Sequence, residues 1–344
     1  MNWPPLPNGR PPGIPSTADW LIEGMRRRWG AALVTLFCTW SGLWLAVWLV
    51  AVTALLDALL TFIGMALTGG AISTSLGVGA VSVITGVLSG AVSALATALA
   101  GVFIDDPVQF LTAMAVGLVI SLALLAAMIG FEPWRLRLRG YRRMSRREAA
   151  RIVPVLEAAA RDLRLGAVSQ VLMADDGSLT AVSPHCRRLV VSRSLCDEIG
   201  DDALGAMLAH GLHHWAVGDA VGSRFVLACG LPLILLYEAG AWLARRGSGL
   251  VAAIGWAVLW PAWVLIRLII RPAMAAGTRR QEYETDAAVR ATARGAALHQ
   301  ALTFLGEFEP GRSGWEQVVA ATHPPRELRL EALEPEAEVN AVSR

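Results

Sequence analysis

Residues 208–214 read Leu208-Ala209-His210-Gly211-Leu212-His213-His214. On a helix, His210 and His214 lie about 40° apart around the axis and one turn apart along it. Two imidazoles in this arrangement can bind one tetrahedral zinc ion. A bare H-x-x-x-H spacing is also found among ordinary helix histidines, so the stretch needs support from elsewhere in the chain.

The sequence around this stretch predicts a domain of helices and short strands. Ser145 and Glu148 form the capping-box pattern that starts a helix. Residues 168–173 and 188–192 have the composition of short strands. The helix that carries the two histidines begins at Asp201 and is predicted to continue to about residue 219.

A third candidate ligand, Glu282, follows much later in the chain. Asp286 lies four residues further on, so the two carboxylates share one face of a predicted helix. One of them can bind a metal while the other orients a ligand histidine by a hydrogen bond. The alternative interpretation of this segment is a solvated, charged turn.

The composition is typical of a membrane protein. Hydrophobic residues make up 55% of the 344 residues, and the mean hydropathy is +0.50, which is well above that of an ordinary globular domain. The net charge of +2 gives no electrostatic basis for nucleic-acid binding. The four cysteines contain no C-x-x-C pair, so neither a disulfide framework nor a cysteine metal site is indicated.

Four apolar runs are long enough to span a bilayer, which takes about 20 residues. They cover residues 31–56, 110–129, 221–244 and 250–270. Only a short segment containing two arginines and a glycine separates the last two runs. We therefore interpret these two as a transmembrane hairpin.

The apolar stretch 71–104 differs from these runs because it is rich in small residues. These residues recur at every fourth position, at Ser82, Gly86, Gly90, Ala94 and Ala98. This pattern predicts close helix–helix contact in lipid, including self-association of the chain. A pore or a ligand groove is the alternative interpretation.

Arginines flank two of the apolar runs and predict their orientation. Arg26, Arg27 and Arg28 precede the first run, and seven arginines between residues 135 and 147 follow the second. Because positively charged loops stay in the cytoplasm, both flanks are predicted to be cytoplasmic. The number of crossings between the flanks is then even, either two or four.

Three ordered motifs surround the predicted hairpin. The first is the 208–214 stretch with Asp219 downstream, and the second is residues 278–286, Thr-Arg-Arg-Gln-Glu-Tyr-Glu-Thr-Asp. The third is Thr322-His323-Pro324-Pro325, followed by Arg329 and Leu333. Together they resemble the L-A-H-E-L-x-H, S-R-x-x-E-F-x-A-D and T-H-P-P…R-I-x-x-L motifs of the HtpX and CAAX-prenyl-protease family of membrane-integrated zinc metallopeptidases.

This resemblance implies zinc as the cofactor, with His210, His214 and Glu282 as its ligands and Asp286 as the carboxylate that holds His210. The implied fold is an α-helical polytopic membrane protein with a cytoplasmic, gluzincin-like α+β peptidase domain that the hairpin interrupts. An edge strand of that domain would hold an extended peptide near the metal. Residues 180–183, Thr-Ala-Val-Ser, depart from the family's N-A-F-A ahead of that strand, which bears on substrate binding.

Gly211 is the departure that bears on catalysis. In H-E-x-x-H the glutamate is the general base, a role worth typically about 10²–10⁴-fold in rate. On the helical wheel, His213 flanks the face of the two predicted ligands by the same angle as the missing glutamate, on the opposite side. His213 is therefore a candidate substitute base or extra ligand. The alternative is a histidine that packs or faces solvent.

The expected function is that of a multi-pass, inner-membrane, HtpX-like zinc metalloendopeptidase acting on unfolded or membrane-protein polypeptides. Its activity is expected to be weak or absent because of Gly211. The alternatives are a catalytically dead pseudoprotease that binds peptides or protein partners, and a membrane transport or assembly protein that uses residues 71–104. The expected divisions are a Pro-rich, solvated and disordered tail (1–25), an N-terminal transmembrane region (26–130), the first half of the peptidase domain (131–220), the hairpin (221–271), the second half (272–333) and a tail (334–344).

Overall fold

The computed structural model describes residues 17–43, 107–165, 171–175, 183–184, 188–247, 249–306, 321 and 323–334. These residues divide into two compact units. The helix–sheet unit lies within Met1–Ala32, Leu122–Leu227 and Arg271–Arg344, and the apolar unit lies within Leu33–Ser121 and Ala228–Ile270.

The described part of the chain is mostly helical. Its first half contains α1 (Thr17–Arg27), α2 (Trp29–Leu43), α3 (Pro107–Gly130), α4 (Glu132–Leu138), β1 (Arg142–Arg143), α5 (Arg146–Asp162), β2 (Val171–Ala174), β3 (Ser183–Pro184) and β4 (Leu189–Ser192). The second half contains α6 (Arg193–Glu198), α7 (Asp201–Ala216), α8 (Asp219–Arg246), α9 (Gly249–Val264), a π-helical turn (Leu265–Ile270), α10 (Arg271–Arg290), α11 (Gly295–Gly306) and α12 (Arg326–Leu333).

The four described strands form one sheet in the order β1-β2-β4-β3. β2 and β4 pair in parallel, whereas β1 pairs antiparallel with β2, and β3 pairs antiparallel with β4. The strand predicted at 188–192 corresponds to β4. The one predicted at 168–173 corresponds to β2, although residues 168–170 lie outside the described part. β3 is the outermost strand on one side of the sheet.

The core of the helix–sheet unit brings the sheet together with helices α5, α7 and α11. Its members include Ile152 of α5, Met173 of β2, Val191 of β4, and Leu204 and Leu208 of α7, each at most 1% exposed. Helix α7 is buried along most of its length because α5, α10 and α11 pack around it. The helix that carries the two histidines is therefore held rigidly by apolar contacts.

The capping box predicted at the start of α5 is confirmed. The Ser145 hydroxyl accepts a hydrogen bond from the backbone N–H of Glu148 at 3.3 Å, and the Glu148 carboxylate accepts one from the backbone N–H of Ser145 at 2.6 Å. Both groups satisfy donors that the first turn of a helix leaves without intrahelical partners.

We expect Ser145→Ala to lower the free energy of unfolding by about 1 kcal/mol, because the N-cap acceptor is lost. Thermal unfolding of the detergent-solubilised protein would measure this change. Arg147→Ala, at an exposed position of the same helix, is the control. Equal melting temperatures for the two variants would contradict the expected role of the cap.

Helix α7 ends at Ala216, three residues earlier than expected, because Gly218 interrupts it. Gly218 has a φ of +75°, a left-handed conformation that glycine adopts at little cost. A Cβ at this position would also lie 2.9 Å from the carbonyl oxygen of Trp20. The resulting turn starts α8 at Asp219 and returns the chain towards His214.

Three of the described helices are long and apolar enough to cross a membrane: Phe110–Gly130, Asp219–Arg246 and Leu259–Arg290. The first two match the runs predicted at 110–129 and 221–244, and the third overlaps the run predicted at 250–270. Trp29–Leu43 is a shorter apolar helix that covers part of the first predicted run. Residues 44–56 and 71–104, where further apolar segments were expected, lie outside the described residues.

Helix α1 covers residues 17–25, which were expected to belong to the disordered N-terminal tail. Trp20 packs with Val221 in a small apolar cluster to which Leu21, Met25 and Ile129 also contribute. This apolar face explains why a helix forms at 17–25 despite the prolines that precede it. The remainder of the expected tail lies outside the described residues.

Candidate metal centre

His210, His214 and Glu282 converge on one point within the helix–sheet unit. One ligand atom of each lies within 4.8 Å of the others. The Nε2 atoms of the two histidines are 3.1 Å apart, and the carboxylate oxygens of Glu282 approach them at 3.3 and 3.4 Å. All three side chains are buried. Two imidazole nitrogens and one carboxylate oxygen are a donor set suited to zinc, with a fourth position left for substrate or water.

Each histidine has a carboxylate beside its other ring nitrogen. Oδ1 of Asp286 lies 3.1 Å from Nδ1 of His210, and Oδ2 of Asp219 lies 2.7 Å from Nδ1 of His214. A proton kept at Nδ1 by a carboxylate leaves Nε2 available as a metal ligand. Asp286 lies beside His210, and Asp219 lies in the corresponding position beside His214. The role of Asp286 in holding His210 stays a prediction.

Helix α10 supplies both Glu282 and Asp286, one turn apart on its buried face. Nε and Nη2 of Arg329 donate to the two oxygens of Asp286 at 2.7 and 2.8 Å. Nη1 of the same arginine lies 3.2 Å from Oε2 of Glu282. Arg329 thus offsets the charge of two buried carboxylates and fixes their orientation.

His323 approaches the same carboxylate from the late motif. Its Nδ1 lies 3.2 Å from Oε1 of Glu282, and its side chain is 55% exposed. From the sequence, His323 and Arg329 are recognisable only as parts of the late motif, without a role of their own. Their position in that motif was the signal that could have assigned them to the site.

The charged groups around His214 favour a positive charge on its imidazole. Burial disfavours the charged form of His214, but its contacts with Asp219 and Glu282 outweigh burial and raise its pKa to about 9. Surroundings that stabilise an imidazolium in this way also stabilise a metal cation.

His213 has a different environment from the two neighbouring histidines. Its Nδ1 lies 3.0 Å from Oγ1 of Thr285. Burial, together with the nearby His214, lowers its pKa to about 4. The side chain is therefore neutral at neutral pH and a weak base. Its role as a substitute base stays a prediction.

Gly211 lies between the ligand histidines on the buried helix α7. Because glycine has no side chain, position 211 contributes no group that could accept a proton. The helix, the three candidate ligands and their carboxylate partners are thus present, and glycine occupies the position at which the family resemblance implies a glutamate.

Comparison with known families agrees with this geometry. The sequence model of Peptidase family M48 matches residues 147–337, which is more than half of the chain. The match runs from α5 past α12 and so includes the histidines, the carboxylates and Arg329 described above. No curated protein matches the chain significantly. The chain belongs to peptidase family M48, whose members depend on a metal ion.

Proposed function

We propose that the protein is an HtpX-like zinc metalloendopeptidase of the inner membrane whose hydrolysis is slow because Gly211 stands where the general base is expected. The convergence of His210, His214 and Glu282 carries this proposal. Membership of peptidase family M48 supports peptide hydrolysis as the reaction, and the apolar helices support a location in a membrane.

The residues of the centre have separate parts in this proposal. A zinc ion held by the two histidines and Glu282 would supply Lewis acidity towards the scissile peptide carbonyl. Asp286 and Asp219 hold the two imidazoles in the orientation that directs Nε2 at the metal position. His323, which is half exposed beside Glu282, is placed to donate a hydrogen bond to a peptide oxygen.

Strand β3 offers a place for an extended substrate. It is the outermost of the four described strands and contacts the histidine helix α7. An extended peptide added beside this strand would pair with its backbone, as in other cases of strand addition. Pro184 has no N–H to donate, so β3 holds a peptide by fewer hydrogen bonds than an ordinary edge strand. Residues 180–182, where the family's substrate-binding motif is altered, lie outside the described residues.

The proposed substrates are membrane or membrane-proximal polypeptides. Asp219, the partner of His214, is the first residue of the 28-residue apolar helix α8. Glu282 lies within Leu259–Arg290, another helix apolar enough to span a membrane. The histidine helix α7 is thus followed directly by an apolar helix, and Glu282 lies on the continuation of another. This arrangement favours substrates presented at the bilayer.

The N-terminal flank and the metal centre are expected on the same side of the membrane, because Nη1 of Arg27 lies 3.2 Å from Oδ1 of Asp219. The arginine clusters favour the cytoplasmic side. In a cysteine-free background, Ile22→Cys and Ala150→Cys, at exposed positions, should resist an impermeant thiol reagent added to intact spheroplasts and react after lysis.

Arg245→Cys, at an exposed position in the last turn of helix α8, is the control and should react in intact spheroplasts. Labelling of Ala150→Cys from outside would contradict the cytoplasmic orientation. If only one of the Ile22→Cys and Ala150→Cys variants were labelled in intact spheroplasts, the two positions could not lie on the same side of the membrane.

The proposed activity is tested by cleavage of an unfolded, casein-like substrate in detergent, with His210→Ala as the metal-site control. We expect slow cleavage that both the control substitution and a chelator abolish. Zinc-loaded protein that cuts no faster than His210→Ala would contradict hydrolysis and leave a peptide-binding pseudoprotease.

A further inference from the structure

One face of helix α1 lies against the turn that joins α7 to α8. Trp20, Gly24 and Arg27 share this face because they are four and then three residues apart. Nε1 of Trp20 donates to the backbone oxygen of Trp215 at 2.7 Å. A Cβ on Gly24 would lie 2.5 Å from the backbone oxygen of Gly218, so the two backbones touch at a distance that only glycine permits. Helix α1 is therefore seated directly on the turn that follows His214.

Arg27 lies at the end of this face, beside Asp219. Its Nη1 is 3.2 Å from Oδ1 of Asp219, while Oδ2 of the same carboxylate accepts a hydrogen bond from Nδ1 of His214 at 2.7 Å. Its Nη2 donates to Glu284 of α10 at 3.0 Å. The guanidinium thus links the start of α8 with α10, and one of its N–H groups donates to the Asp219 oxygen that does not face His214.

The neighbouring Arg28 fixes α1 to α10. This buried residue donates to the backbone oxygen of Met274 at 3.1 Å and to Oγ1 of Thr278 at 2.8 Å, and it also contacts the side chain of Gln281. A Cβ on Gly277 would collide with the Arg28 guanidinium. Helix α1 is held both at the turn after His214 and along the helix of Glu282, so Arg27 has a defined position relative to both ligands.

We propose that Arg27 is a positioning residue for the metal ligand His214 and acts through Asp219. This inference rests on the proposed metal centre. Arg27 keeps Oδ2 of Asp219 directed at Nδ1 of His214 and offsets the negative charge of that buried carboxylate. Without Arg27 the carboxylate can rotate away, the imidazole is less well oriented, and the metal is bound less tightly. The Arg26–Arg28 cluster, which predicts the orientation of the first apolar run, thus has a second role.

The test compares metal affinity in Arg27→Gln with that in the matched control Arg26→Gln. Arg26 precedes Arg27, is 74% exposed and pairs with Glu23. Affinities of the purified full-length proteins for Zn²⁺ and Co²⁺ are measured by competition with a chelator. We expect Arg27→Gln to weaken binding by about tenfold, the lower end of the range for partners of metal ligands, and Arg26→Gln to leave it unchanged. The visible spectrum of the Co²⁺ form should change only in Arg27→Gln.

Asp219→Asn distinguishes positioning from general loosening of the fold. In the Asp219→Asn background, Arg27→Gln is expected to cost no further affinity, because its effect passes through that carboxylate. Arg27→Lys should rescue part of the affinity, and it carries the test if Arg27→Gln does not fold. Equal losses in both backgrounds, or unchanged affinity in Arg27→Gln, would overturn the proposal. If the unmodified protein binds no metal, the proposed function itself fails.

Discussion

Gly211→Glu is expected to raise the rate of chelator-sensitive peptide hydrolysis by about 10²–10⁴-fold, which corresponds to about 3–5 kcal/mol of activation free energy. Position 211 lies about 60° around the helix axis from His214, so a carboxylate there points beside the metal position. It can take a proton from the attacking water and pass it to the leaving nitrogen. The change also removes a glycine from a helix interior, where glycine costs about 1 kcal/mol relative to alanine.

Gly211→Gln is the matched control, because glutamine has the size of glutamate and cannot act as the base. Both variants are assayed on an unfolded substrate in detergent, each with and without a chelator. A zinc-loaded Gly211→Glu protein that is no faster than Gly211→Gln would contradict the account of the missing base. Robust cleavage by the unmodified protein would contradict slow hydrolysis and direct attention to His213, through His213→Ala.

His214→Ala and Glu282→Ala are each expected to abolish stoichiometric zinc binding. Each change removes one of the three candidate ligands, so the loss of affinity should exceed the 10–100-fold that is typical when a partner of a ligand is removed. His299→Ala, on helix α11 and outside this group, should keep the metal. Zinc content measured after gentle, chelator-free purification reports the result. Retention of zinc by both ligand variants would contradict the assigned site.

Features that depend on local sequence could be predicted. The capping box at Ser145 depends on two residues three positions apart, and the spacing of His210 and His214 needs only helical geometry. The apolar runs at 110–129 and 221–244 were recognisable by length and composition alone. Helix α7 stops earlier than predicted because Gly218 adopts a positive φ, and the apolar periodicity does not report that conformation.

Features that depend on tertiary packing could not be predicted. Arg27 and Asp219 are 192 residues apart in sequence, and nothing in the arginine cluster indicates that one of its members touches a partner of a metal ligand. The bidentate contact of Arg329 with Asp286 also joins distant segments. The family resemblance places Arg329 in a motif, but only the folded chain shows what its guanidinium contacts.

We expect a zinc centre made of His210, His214 and Glu282 to be present although position 211 holds glycine instead of a general base. The presence of zinc and the identity of its ligands are measured by X-ray absorption at the zinc edge, on protein purified without chelators. We expect about one zinc ion per chain, with imidazole nitrogens at about 2.0–2.1 Å and no sulfur ligand. His214→Ala should lose this signal. Metal-free protein, or a zinc shell containing sulfur at about 2.3 Å, would contradict this expectation.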